Sequence, residues 1–172
     1  MVSHTFPGIA PIVISTDTFD SRLDKAEGGT LFTGGVNQVA PSAANNLIRT
    51  KLSNPVGSGV SMRIQKVRLG TATVNRIIMG PPVTPATANL TNAPAPVNKL
   101  QGGAAAKGAF SYDLTQTTSG ITTPIDQWRT EAGKTYEFLV GIVLPANTEF
   151  FLTFLDVATT DIADVFLEWS EK

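Results

Sequence analysis

The residues of this chain that can do chemistry are few, and nearly all are carboxylates. Asp156, Asp161 and Asp164 fall close together, as the oxygen ligands of a Ca²⁺ loop would. Asp161-Ile162-Ala163-Asp164, however, lacks the Asp/Asn/Gly density of such a loop, and a solvated turn is the expected role. Glu137, Glu149 and Glu168 are the acids from which a glycosidase pair would be drawn. Glu137 and Glu149 lie in segments otherwise rich in core residues, so these side chains are expected to face solvent. Cysteine is absent, which removes thiol nucleophiles, disulfides, iron–sulfur clusters and Cys zinc sites. The single histidine is His4, so neither a Ser–His–Asp triad nor a multi-His metal site is expected. Gly57-Ser58-Gly59 lacks the Lys-Ser/Thr and the following helix of a phosphate loop and reads as a turn. Asn89-Leu90-Thr91 fits a glycosylation acceptor, but no signal peptide is read ahead of it to give it meaning. The expectation is a protein that is not an enzyme and takes no cofactor or metal.

Charge is segregated along the chain beneath a net value of −1. No Asp or Glu occurs between Glu27 and Asp113, whereas Arg49, Lys51, Arg63, Lys66, Arg68, Arg76, Lys99 and Lys107 do. Residues 113–172 carry ten acids against three bases. Like charges on adjacent strands repel, so the basic middle is expected beside the acidic C-terminal third or beside an acidic neighbour. Arg49 and Lys51 share a strand face, which Arg63 and Arg68 would join across a hairpin. A nucleic-acid surface would interleave aromatics with such a stretch, and this one has none, so no nucleic-acid partner is expected. Eight of the thirteen aromatics fall instead in residues 128–169, which centres the core there. Trp128 and Tyr112, near loops, are the candidates for an aromatic sugar platform, while Trp169 and the phenylalanines read as core.

The elements that position these residues are strands. Leu47–Leu52 alternates, the cluster Ser53–Gly59 turns, and Val60, Met62 and Ile64 form one apolar face. The phase slips at Gln65-Lys66 before Val67 and Leu69, which predicts a β-bulge there. A turn at Gly70-Thr71 leads to a strand over Thr73–Met79. Residues 80–108 hold five of the eleven prolines and read as a long surface excursion with one edge strand near Val97–Leu100. Strand signal resumes at Ala109–Thr115, and Pro124–Arg129 reads as a short helical turn or corner. Tyr136–Leu144 is apolar on both faces, as a strand covered on both sides would be. Phe150–Leu155 follows, and Ile162–Trp169 puts Ala163, Val165, Leu167 and Trp169 on one face. The fold class is therefore all-β, an antiparallel β-sandwich, jelly-roll-like, with an extended N-terminal arm. Residues 1–30 form that arm and a turn, and residues 31–172 form a single sandwich domain. No run approaches the ~20 apolar residues of a membrane span, so no membrane partner is expected.

Asn54-Pro55-Val56-Gly57-Ser58-Gly59-Val60, with the strand of Met62, Ile64 and Val67-Arg68-Leu69, resembles a hairpin found in small β-sandwich virion proteins of tailed bacteriophages. The Pro-Ala-Asn turn, the aromatic strand and the final Ile162-Ala163-Asp164-Val165-Phe166-Leu167-Glu168-Trp169 are similar to the endings of such chains. The resemblance covers roughly residues 46–79 and 135–170. It implies a capsid decoration (cement) protein, a head fibre component or a tail accessory protein, commonly trimeric. The first expectation is a decoration protein made in the host cytoplasm and located on the capsid surface, with itself and the major capsid protein or another virion protein as partners. The alternative is a carbohydrate- or receptor-binding module of a tail or head fibre. Surplus apolar surface fits an assembly subunit. The expected subunit or capsid interface comprises Phe6, Ile9, Ile12 and Ile14 of the arm together with Arg49, Lys51, Arg63 and Arg68. Deleting residues 2–15 is expected to weaken self-association while leaving the β-sheet circular dichroism unchanged. Normal assembly of the truncated chain would remove the arm from the interface.

Overall fold

Alternation along each strand decides the architecture, and the last strand shows how. In β11 (Ala163–Glu171) Ala163, Val165, Leu167 and Trp169 are buried on one face, while Asp164 and Phe166 point to the other and are half-buried. The computed structural model describes residue 25 and residues 28–82, 90–121 and 123–172. Besides β11, these form β1 (Leu31–Val39), β2 (Leu47–Asn54), β3 (Met62–Thr71), β4 (Asn75–Gly80), β5 (Val97–Asn98) and β6 (Ala109–Gln116). They also form β7 (Asp126–Thr130), β8 (Thr135–Leu139), β9 (Val143–Leu144) and β10 (Thr148–Phe154). The arm of residues 1–30, with Phe6, Ile9, Ile12 and Ile14, lies almost wholly outside the described residues.

Two antiparallel sheets pack face to face. The first has the order β5–β1–β11–β3–β8, with β9 also on β3, and the second the order β6–β2–β10–β4–β7. Among the long strands the chain passes from β1 to β2, β3 and β4 by changing sheet each time. It does so again from β7 to β8, β10 and β11. That is the winding of a jelly roll. The inner faces meet in one core in which Ile48, Leu52, Ile64, Leu69, Leu152, Phe154 and Trp169 are fully buried. A smaller apolar cluster, Ile78, Ile121 and Phe151, lies on the other side of the second sheet. There β2 and β10 are buried on both faces.

The bulge predicted from the phase slip is present. Lys66 pairs with Glu168 and Ile64 with Trp169, so Gln65 is the extra residue. It lets Ile64 and Val67 both face the core despite their odd spacing. Four readings need correction. Pro124–Arg129 is not helical: Asp126–Thr130 pairs along β4 as an edge strand, where the ladder satisfies its backbone. Tyr136–Leu144 is two strands, β8 and β9, separated by Gly141 at a φ of 73°. As an edge element β8 leaves Thr135, Glu137 and Leu139 exposed, so its outward face is not covered. The turn assigned to Gly70-Thr71 falls beyond them, because β3 runs through Thr71 to pair with Ala163. The segment from Asn54 to Val60 is not the tip of a hairpin but a crossover, since β2 and β3 belong to opposite sheets. Arg49 and Lys51 are thereby separated from Arg63 and Arg68.

Strand β1 gave no sequence signal because Gly34-Gly35 interrupts its alternation. Both glycines are required by close approach. A Cβ on Gly35 would stand 2.3 Å from the Phe166 ring and 2.5 Å from the Val165 carbonyl oxygen. Gly35→Ala is expected to destabilise the fold by about 1–3 kcal/mol through this overpacking. Urea unfolding followed by Trp fluorescence reads the shift, and an unchanged midpoint would show that β1 can move away without cost.

Candidate functional site

The candidate carboxylates are each held by the protein itself. Asp161 accepts the Ala158 amide at 2.8 Å, and Asp164 accepts the Gln38 amide at 2.7 Å, where Gln38 has a φ of 53°. Asp156 faces Arg76 at 3.7 Å. These acids thus pin separate turns and strands. Among the described residues no three His, Cys, Asp or Glu side chains are grouped to hold a metal ion. Glu149 lies on β10 of the second sheet, whereas Glu137 on β8 and Glu168 on β11 belong to the first. Glu149 is therefore on a different sheet from either possible acid partner.

The segregated charges find one another within the chain. Lys51–Glu149, Lys66–Glu137, Arg76–Asp156 and Lys99–Glu168 all join the basic middle to the acidic C-terminal third. Lys134 and Glu131 make a local pair. The antiparallel ladder causes this pattern, because β10 and β11 lie between strands of the basic segment.

On the outer side of the second sheet the polar groups of β2, β6 and β10 are buried, while the Arg76–Asp156 pair at β4 is exposed. The Lys51 ammonium donates to Glu149 at 2.9 Å, with both side chains almost wholly enclosed, so Glu149 does not face solvent as its sequence context suggested. Two residues along β2, Arg49 donates to Gln116 and lies over the Phe151 ring at 5.5 Å. Burial pulls the Arg49 pKa down, and the neighbouring Asp113 carboxylate opposes that. Asp113 is buried too, which alone would raise its pKa. The hydroxyls of Thr115 and Thr91, the Thr115 amide and the Gln116 side chain all donate to it and carry it down to about 2. Arg49 and Lys51 thus serve an enclosed polar layer inside the domain.

The outer side of the first sheet is open. Arg63 and Arg68 are exposed on β3. Arg68 lies opposite Phe166 in the ladder and places its guanidinium 4.3 Å from the ring centroid. Two shallow depressions flank that stack. One, of about 250 Å³, is lined by Thr33, Lys66, Lys99, Leu167 and Glu168. The other, of about 270 Å³, is lined by Asn37, Gly70, Thr135 and Asp164. Arg68 and Phe166 belong to both. The aromatic residues expected to serve as platforms are used differently. Trp128 on β7 stacks on Phe138 of β8 with centroids 4.4 Å apart, closing the sandwich edge, and Tyr112 packs against the core. Sequence reasoning did not find the Arg68–Phe166 stack as a site. Its one local signal is an aromatic side chain at an outward position, between Asp164 and Glu168.

The depressed Asp113 gives a pH dependence of known sign. Its folded pKa, about 2, lies below the ordinary 3.8, so the folded form holds fewer protons than the unfolded one. The resulting stability is complete above pH ~4 and is lost as pH falls towards ~2. Between those limits the native chain should lose about 2 kcal/mol more than Asp113→Asn, as measured by urea unfolding across pH. Parallel profiles for the two proteins would contradict the hydrogen-bonded carboxylate.

The chain matches no protein-family model, no curated protein and no solved structure.

Proposed function

We propose that this protein is a non-enzymatic structural subunit of a tailed-phage virion, a capsid decoration protein that works as a homo-oligomer, with the trimer favoured. The segments that carry the resemblance to such proteins set the winding, although the first of them is a crossover here and not the hairpin it resembles. Asn54–Val60 is the crossover between sheets, and Ile162–Trp169 leads into and forms most of β11. Jelly rolls recur in viral capsid and lectin domains, and both readings are consistent with the architecture.

The observation that carries the assembly reading is an apolar sheet edge. Strands β7 and β8 are edge strands of opposite sheets, joined by the turn over residues 131–134. Ile125 precedes β7 and Leu139 ends β8, so both lie at the end of the sandwich away from that turn. They are 57% and 69% exposed, and Val143 on β9 is 53% exposed. Edge strands with unpaired backbone groups and apolar side chains invite pairing with another chain. A subunit covers them by association. Arg63 pairs in the ladder with Val143, and Lys66 with Leu139, which sets cations beside this edge. Such charges orient a docking partner more than they strengthen its hold.

Light scattering on the full chain should give a multiple of 18.2 kDa, with three copies as the expected state. Leu139→Lys combined with Val143→Lys should shift the mass to that of one copy without changing the β-sheet circular dichroism. A native chain that stays monomeric at high micromolar concentration would contradict the reading.

A further inference from the structure

We infer that the outer face of the first sheet is a binding groove for an acidic oligosaccharide, gripped by Arg68 on its Phe166 platform. This groove adjoins the apolar edge, sharing Lys66 of β3 and Thr135 of β8 with it. It takes Arg68 as a ligand contact rather than a subunit contact, but its ligand does not rest on the assembly reading.

The platform is built into the backbone. Phe166 can lie down on β1 only because residue 35 is glycine, since a Cβ there would meet the ring at 2.3 Å. Gly70, beside Arg68 on β3, keeps the second depression open, for a Cβ there would reach Asp164 at 3.3 Å. The ring therefore forms a floor and the guanidinium a ridge above it. Stacking holds the guanidinium plane in place while leaving its edge donors free.

The charge arrangement singles out that ridge. Around it, Lys66 is paired with Glu137, Lys99 with Glu168, and Asp164 with the Gln38 amide. Among the described residues the Arg68 guanidinium makes no hydrogen bond or ion pair, only its ring contact. An exposed, pre-oriented guanidinium fork matches a carboxylate in bidentate fashion. The depressions on either side, about 250 and 270 Å³, fall just below the ~300–1,000 Å³ of sites for drug-sized ligands. Each suits one ring-sized unit, and a ligand of two or more units would straddle the ridge. Thr33 and Asn37, with Thr135, offer donors and acceptors to hydroxyl groups. The carboxylates Glu137, Asp164 and Glu168 oppose a densely charged polyphosphate backbone. One acid among many hydroxyls is thus the chemistry that fits, as in a uronic acid-containing chain.

Calorimetric titration of the full chain with tetragalacturonate tests this, with the methyl-esterified tetramer and maltotetraose as neutral controls. The expected result is saturable binding that weakens at least about tenfold for both controls and for Arg68→Met. Arg68 is exposed, so the variant is expected to keep the native melting temperature, and Arg68→Lys should retain part of the affinity. Amide resonances of Gly35 and Gly70 should shift on titration while Gly57 stays still. Four outcomes would each overturn the inference. They are absence of binding at millimolar tetragalacturonate, equal binding of the neutral tetramers, native affinity in Arg68→Met, and tighter binding of a single-stranded oligonucleotide or of polyglutamate.

Discussion

The indole of Trp169 is where the fold is tied together. It sits fully buried at the centre of the first sheet, against Phe32 of β1 and beneath the inner face of the second sheet. Its N–H donates at 3.0 Å to the carboxylate of Glu171, two residues on. The same carboxylate accepts the amides of Lys107 and Gly108, so the end of the long excursion is fastened to the final strand. Room for the ring depends on glycine at 34 and 108, where a Cβ would approach it to 3.2 Å. A buried indole N–H without an acceptor would cost roughly 1–3 kcal/mol, and Glu171 removes that cost while satisfying two further donors. The ladders with β1 and β3 hold β11 between them, and this arrangement lets its largest side chain be buried there without an unpaired donor.

From that constraint the two outer surfaces diverge. On the second sheet the polar side chains of β2, β6 and β10 turn inward upon one another. Lys51 with Glu149 and Asp113 with its ring of donors make a closed layer. Such enclosed pairs are weak sources of net stability, yet breaking one of them is expensive because the remaining charge is stranded. On the first sheet the pairs Lys66–Glu137 and Lys99–Glu168 are more open, and Arg68 is given to an aromatic ring. The strands β2, β6 and β10 thus close their polar layer within the chain, while the outer face of the first sheet is presented to solvent.

Much of this was legible in the sequence where local alternation coincides with the final environment. The inward row of Ala163, Val165, Leu167 and Trp169 could be read directly, and the phase slip at Gln65 announced its bulge. The meeting of basic middle and acidic C-terminal third was one of the two arrangements that charge repulsion allowed, the other being an acidic neighbour. What escaped depends on long-range register. Gly34-Gly35 shows no alternation, and only the Phe110 and Trp169 rings on one side and the Phe166 ring on the other explain why a strand there needs glycine. Residues 126–130 are a strand because β4 offers them a ladder, not because of their own propensity. Tyr136–Leu144 looked enclosed because apolar residues fill both of its faces, and the same exposed Leu139 and Val143 instead mark the edge. The separation of Arg49 and Lys51 from Arg63 and Arg68 reflects a chain that changes sheet between β2 and β3, which no local pattern records.

The central claim is that the edge formed by β7, β8 and β9 is completed by another copy of the chain. Amide hydrogen exchange along β7 and β8, followed as protein concentration is raised, tests it most directly. The account predicts that these edge amides become protected with increasing concentration while those of β11 stay equally protected throughout. Exchange at β7 and β8 that is fast and independent of concentration would contradict it.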